Sequence, residues 1–102
     1  MGFTTSVFTI LTTDVYETWF NNLRDARAAK RIVALVYRLA HGNPGPKRVL
    51  KHGVCEIKID YGPGYRLYYT RRGNALVVLL CGGDKSTQAA DIKSAERLAN
   101  KV

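Results

Sequence analysis

Five cations, Lys58, Arg66, Arg71, Arg72 and Lys85, fall within residues 56–85, and tyrosines 61, 65, 68 and 69 interleave with them. That mixture suits RNA, whose phosphates need positive charge and whose unstacked bases need flat π-faces. Cleaving RNA with its own 2′-hydroxyl has three requirements. The hydroxyl must lose a proton, the phosphorane charge must be stabilised, and the 5′-oxygen must gain a proton. Fixed cations at the scissile phosphate meet the second directly. They assist the others by shifting the pKa of neighbouring groups. Arginine suits the phosphate because its planar fork reaches two oxygens at once. The plainer alternative is a basic sheet whose lysines and arginines simply face solvent, as such residues commonly do.

Strands must position these groups. Cys55, Ile57 and Ile59 point one way, and Glu56, Lys58 and Asp60 the other. Tyr61-Gly62-Pro63-Gly64 then turns the chain. It lacks the form of a phosphate-binding loop and opens no helix, so it is read as a hairpin turn. Beyond it, Tyr65, Leu67 and Tyr69 share one face, with Arg66, Tyr68 and Thr70 on the opposite one. Matching the apolar faces sets Lys58 beside Arg66 on the outward side. Tyr65 and Tyr69 then pack inward, and Tyr61 and Tyr68 are left to stack bases. Arg72-Gly73-Asn74 forms a second turn. Residues 75–81 are apolar on both faces, as in a central strand covered on both sides. Gly82-Gly83 ends that strand, and Asp84 or Ser86 caps a last helix. Ala89, Ile92, Ala95, Ala99 and the offset Leu98 make its apolar side.

Upstream, residues 3–11 are rich in Thr, Phe and Val and read as a first strand. Thr12 or Thr13 caps a helix with Asp14 and Glu17 in its first turn. Val15, Tyr16, Trp19, Phe20 and Leu23 recur at helical spacing, and Trp19 and Phe20 are read as core. Asp25 caps a second helix with the apolar stripe Ala28, Ile32, Leu35, Val36 and Leu39. Arg24, Arg27, Lys30, Arg31 and Arg38 lie mostly off the stripe, as a solvated face or as a docking surface for an acidic partner. So short a link makes the two helices an αα-hairpin. Gly42 and Asn43-Pro44-Gly45-Pro46 stop the second helix, and residues 47–50 read as a short strand. The expected fold is α+β: an N-terminal strand and a helical hairpin packed on a curved antiparallel sheet, with a C-terminal helix.

The chain has 102 residues, enough for one domain over 1–102. Its net charge of +8 favours an anionic partner. Cys55 and Cys81 sit at apolar strand positions without a CxxC, which suits buried free thiols in a reducing cytoplasm. No secretory signal is recognisable. The apolar run 75–81 is far short of the roughly 20 residues a membrane helix needs. Residues 1–6 match a myristoylation pattern only formally. His52 has a near-neutral ordinary pKa suited to acid–base work, but neither it nor His41 has a paired nucleophile. His52 and Cys55 lack a second pair of zinc ligands.

Residues 60–73, followed by Leu79-Leu80-Cys81-Gly82-Gly83-Asp84-Lys85-Ser86, resemble the RelE/ParE superfamily of toxins, in its HigB-like addiction-module killer branch. The resemblance extends over nearly the whole chain. It implies a toxin that cleaves mRNA on the ribosome, needs neither metal nor organic cofactor, and is neutralised by a cognate antitoxin protein. The alternatives it carries are a ParE-like inhibitor of DNA gyrase and a plain nucleic-acid-binding module. It implies that Arg66 stabilises the transition state, that Lys58 assists the attacking hydroxyl, and that Lys85 stands near the leaving group. Arg48, Tyr61, Tyr68, Arg71 and Arg72 complete the expected nucleic-acid surface. Glu56 and Asp60 stand where the mRNA-cleaving relatives resemble one another in carrying basic residues. Asp91 stands where they carry a catalytic tyrosine, leaving Asp91 or His52 as its possible replacement.

Overall fold

The computed structural model describes residues 7–102. The formal myristoylation match and the start of the expected first strand lie outside them. Strand β1 spans Thr9–Thr12, and helices α1 and α2 span Asp14–Asn21 and Ala26–Ala40. Strands β2 (Arg48–Val49), β3 (Val54–Ile59), β4 (Tyr65–Arg72) and β5 (Leu76–Gly83) follow, and helix α3 spans Gln88–Ala99. The sheet order is β1-β5-β4-β3-β2. β2 to β5 pair antiparallel, while β1 runs parallel to β5 at the far edge. This is the expected α+β architecture, with β1 making the sheet mixed. Among the described residues, no helix is long and apolar enough to cross a membrane.

The helix starts follow from local chemistry. The Thr13 hydroxyl accepts from the Tyr16 amide at 3.0 Å and donates to the Leu80 carbonyl at 2.5 Å. One side chain thereby caps α1 and ties it to β5. Asp25 accepts from the amides of Arg27 and Ala28 and caps α2. Asp84 caps a short 3₁₀ turn, Lys85–Thr87, that leads into α3.

α1 and α2 cover one face of the sheet. Tyr16, Ile32, Leu35 and Leu39 pack there with Ile57, Leu67, Tyr69 and Leu79. α3 covers part of the other, where Ala95 and Ala99 meet Val54, Tyr68, Val78, Leu80 and Cys81. The inner side of α3 runs through Gln88, Asp91, Ala95 and Ala99, so Ala89 is exposed rather than part of the apolar side.

β5 does not end before its glycines. It continues through Gly82, opposite Leu67, and Gly83, opposite Arg66. A bulge makes this possible: Tyr68 pairs with Cys81 and Tyr69 with Leu79, leaving Leu80 extra. The extra residue places Leu80 and Cys81 on the same, α3-covered face. After it, Gly82 faces α1 and Gly83 faces α3. A Cβ on Gly82 would collide with the ring of Trp19, and one on Gly83 with the carboxylate of Asp91.

Gly82→Ala should therefore cost about 1–3 kcal/mol by forcing Trp19 off the strand. The check is the urea midpoint, and a midpoint equal to wild type would remove the close approach as a constraint. Burial, with the Asp91 charge adding to it, pushes the Cys81 thiol up to about 12. Burial, with Glu17 adding to it, likewise raises the Tyr16 hydroxyl to about 12. Both groups favour the folded state in their protonated form. Their contribution is complete below the ordinary range of about 8.5 for thiols and about 10 for tyrosine, and is lost as pH rises toward about 12. The urea midpoint should fall over that window, and Cys81→Ala should flatten the thiol-dependent part of the fall.

Candidate active site

The α3-covered face carries two rows of paired residues running across the strands. One row is Arg48, Glu56, Tyr68 and Cys81; the other is Lys58, Arg66 and Gly83. The second lies nearer the Gly62-Pro63-Gly64 turn. Directly opposed residues on antiparallel strands point to the same side, so the Lys58–Arg66 juxtaposition follows from register.

Arg66 is buried to 7% exposure, which is unusual for an arginine. One terminal nitrogen donates to the Gly64 carbonyl at 2.6 Å. Its Nε lies 3.9 Å from Glu56 Oε2, too far for a hydrogen bond, and has no hydrogen-bond partner. Glu56 is buried too, and its carboxylate is the hub of the site. Oε2 accepts from the Tyr68 hydroxyl at 2.8 Å and from the Gln88 side-chain amide at 3.0 Å. Oε1 lies 3.1 Å from Arg48 Nε. Burial, with the Glu56 hydrogen bond second, holds the Tyr68 hydroxyl well above its ordinary range. That phenol stays a protonated donor to Glu56.

Lys85 follows β5, and its amide contacts the Pro63 carbonyl at 3.4 Å. Lys58, Asp60, Lys85 and the turn residues 61–64 line an open cleft of about 450 Å³. Lys58 is exposed and lies 3.4 Å from Asp60 Oδ1, an exposed pair of little energetic weight. Asp91 is half-buried. Its carboxylate sits over Gly83, beside Arg66 in the same row, and accepts from Thr87 at 2.5 Å. The Asp84 carboxyl is held low by its Ser86 hydrogen bond, with Arg66 adding to the effect.

The structure brings Lys58, Arg66 and Lys85 to one end of the sheet, but it distributes the expected nucleic-acid residues unevenly. Arg48 stands at that end, half exposed. Tyr68 is fully buried, so it has no ring face to offer a base. Its alternation was correct, but α3 covers that face. Tyr61 lines the cleft but leans on α2: its hydroxyl donates to Asp25 at 2.9 Å, and Arg31 lies over its ring. Arg71 and Arg72 lie at the opposite end of β4, roughly 20 Å from Arg66 at the rise of a strand. Arg71 covers the Phe8 ring, and Arg72 binds the carbonyls of Ala99 and Val102 behind α3. Both are occupied with packing and capping, not with the cleft. His52 is exposed at the same far end, in a left-handed conformation (φ 61°), away from Lys58. Among the described residues, no group of three or more His, Cys, Asp or Glu side chains is placed to hold a metal ion.

Sequence reasoning missed Glu56 as an organising group and Gln88 altogether. In the sequence Glu56 stands out only as an acidic residue where the resemblance implies a basic one. An acidic residue at an outward strand position opposite a basic edge strand was the available signal. Removing its charge leaves the buried Arg66 without a counter-ion, so Glu56→Gln should cost about 3 kcal/mol or more. Arg48→Gln, at the exposed side of the same network, should cost no more than about 1 kcal/mol. Equal losses in urea unfolding would show that Glu56 does not balance Arg66.

Two comparisons place the chain among known proteins. Residues 18–101 match the family described as phage derived protein Gp49-like. A protein of Haemophilus influenzae strain Rd, described as an uncharacterized protein, is 44% identical over 93 residues, covering 91% of this chain and 94% of the relative. Family match and relative span almost all of the sheet and helices that build the cleft, and the chain belongs to the phage-derived Gp49-like protein family.

Proposed function

We propose that this protein, acting as one domain over residues 1–102, is the toxin of a type II toxin–antitoxin module in the HigB-like branch of the RelE/ParE toxins. In this reading it works in the cytoplasm as a metal-independent endonuclease on ribosome-bound mRNA. Membership of the Gp49-like family, which is toxin-like and of RelE type, supports the toxin class. The observation that carries the chemistry is the Arg66 guanidinium, balanced by Glu56 and fixed by the carbonyl of Gly64, a residue that lines the cleft together with Lys58 and Lys85. A cation held by the protein needs no reorganisation when charge develops on the phosphorane. Arg66 binds the scissile phosphate, Lys58 lowers the cost of deprotonating the 2′-hydroxyl, and Lys85 stands by the departing 5′-oxygen. Asp91, over the Gly83 that pairs with Arg66, supplies a carboxylate where the resemblance implies a tyrosine. Arg48 steers the RNA backbone, and a cognate antitoxin would neutralise the protein.

A second reading has its own observation. Glu56 neutralises part of the charge of Arg48 and Arg66, leaving a less cationic groove than phosphate cleavage favours. That suits a ParE-like inhibitor of DNA gyrase. Primer extension on cellular mRNA after expression of wild type and Arg66→Ala separates the two. Cleavage products that fall about 10²–10³-fold in Arg66→Ala support the nuclease. Intact transcripts together with blocked supercoiling by purified gyrase support the inhibitor instead. Because Arg66 is buried, Lys58→Ala provides a second, exposed variant for the same assay, and urea unfolding confirms that each variant is folded.

A further inference from the structure

β3 has an open outer edge. Among the described residues, β2 pairs only with Cys55 and Glu56, so the edge beyond Glu56 faces no strand. Unpaired strand edges are templates for an added strand. α2 runs beside this edge, and together they wall a groove of about 470 Å³. Arg31 and Arg38 line it from the helix, Ile57, Lys58 and Asp60 from the strand, and Pro44 from the link between them. α2 contains four cations, Arg27, Lys30, Arg31 and Arg38, and no acidic residue. The apolar lining of the groove comes from Ala34 and Leu35 of the helix and Ile57 and Ile59 of the strand.

Strand edge, cations and apolar side chains together identify the occupant by chemistry. An RNA cannot continue the main-chain ladder of a sheet. An extended polypeptide can, and its alternate side chains then face the helix. Arg31 and Arg38 demand that those side chains be acidic. Lys58 and Asp60 line both this groove and the adjoining cleft of the candidate active site. We propose that the groove docks an extended acidic segment of a partner protein, which adds as a strand beside residues 57–60 and draws the Lys58 ammonium out of the cleft. The surface stands on geometry alone; only the naming of the partner as the antitoxin rests on the toxin reading. Such a segment silences the site by removing one cation, without covering Arg66.

The test uses the purified full chain and a phage-displayed library of random eight-residue peptides. Selected sequences should be enriched in Asp and Glu alternating with β-branched residues. A synthetic peptide of the selected sequence should shift the backbone amide resonances of residues 57–60. Its affinity should fall about tenfold or more in Arg31→Glu/Arg38→Glu, because reversed charges at a contact repel. Lys51→Glu/Lys101→Glu changes net charge equally, away from the groove, and should bind as wild type does. Selection of peptides without acidic residues, shifts confined to other segments, equal losses in both double variants, or oligouridylate shifting residues 57–60 in place of the peptide would each overturn the proposal. None of these measurements uses mRNA cleavage, so their failure and that of the nuclease reading are separately visible.

Discussion

A guanidinium removed from water needs a counter-charge and fixed dipoles around it, or the fold does not tolerate it. In this protein Arg66 is nearly covered, and Glu56 is the carboxylate that balances it. The same carboxylate takes hydrogen bonds from Tyr68 and from Gln88. Tyr68 belongs to the central strand and Gln88 to the first turn of α3, so one charge fixes the sheet against the helix. Arg48 closes the network from the edge strand β2. The site is therefore not a set of loose surface cations. Its arginine is preorganised by the packing that surrounds it, which is the condition under which a fixed charge does most for a reacting phosphate.

That network needs the strand register to be right, and the register turns on one extra residue. Without the bulge at Leu80, strict alternation would place Gly83 under α1 and Gly82 under α3. The bulge exchanges them, setting Gly83 beside Arg66 and beneath Asp91. Both glycines are required by close approach, since each has a side chain lying directly on its Cα. Thr13 supports the arrangement by binding the Leu80 carbonyl while capping α1, so the irregularity in β5 is satisfied by the element that packs against it.

Net charge of +8 is a poor guide to where the charge acts. Arg71 and Arg72 are spent on an aromatic ring and on the carbonyls at the end of α3, far from the cleft. Arg31 lies over Tyr61, whose hydroxyl binds the cap of α2. This links the hairpin turn that holds Arg66 to the helix that walls the second groove. The cleft and the groove thus share Lys58 and Asp60 directly and are joined through Tyr61 indirectly.

Local information in the chain was enough for most of the elements and most of their faces. Alternation placed Lys58 across from Arg66, since side-chain direction in a strand depends only on parity. Caps at Thr13 and Asp25 were legible because they satisfy amides within three residues. The motif in residues 60–86 pointed to the toxin class, and the Gp49-like family, a toxin-like family, agrees with it at that level. What lay beyond reach depended on residues distant in sequence. Only packing decided that α3 would cover Tyr68, that Glu56 would be a counter-charge instead of a missing cation, and that Asp91 would rest on Gly83. The parallel pairing of β1 with β5 was equally hidden, since strand character does not reveal direction or neighbour. Sequence patterns report the environment of one element at a time. A buried charge is defined by what several elements bring to the same place.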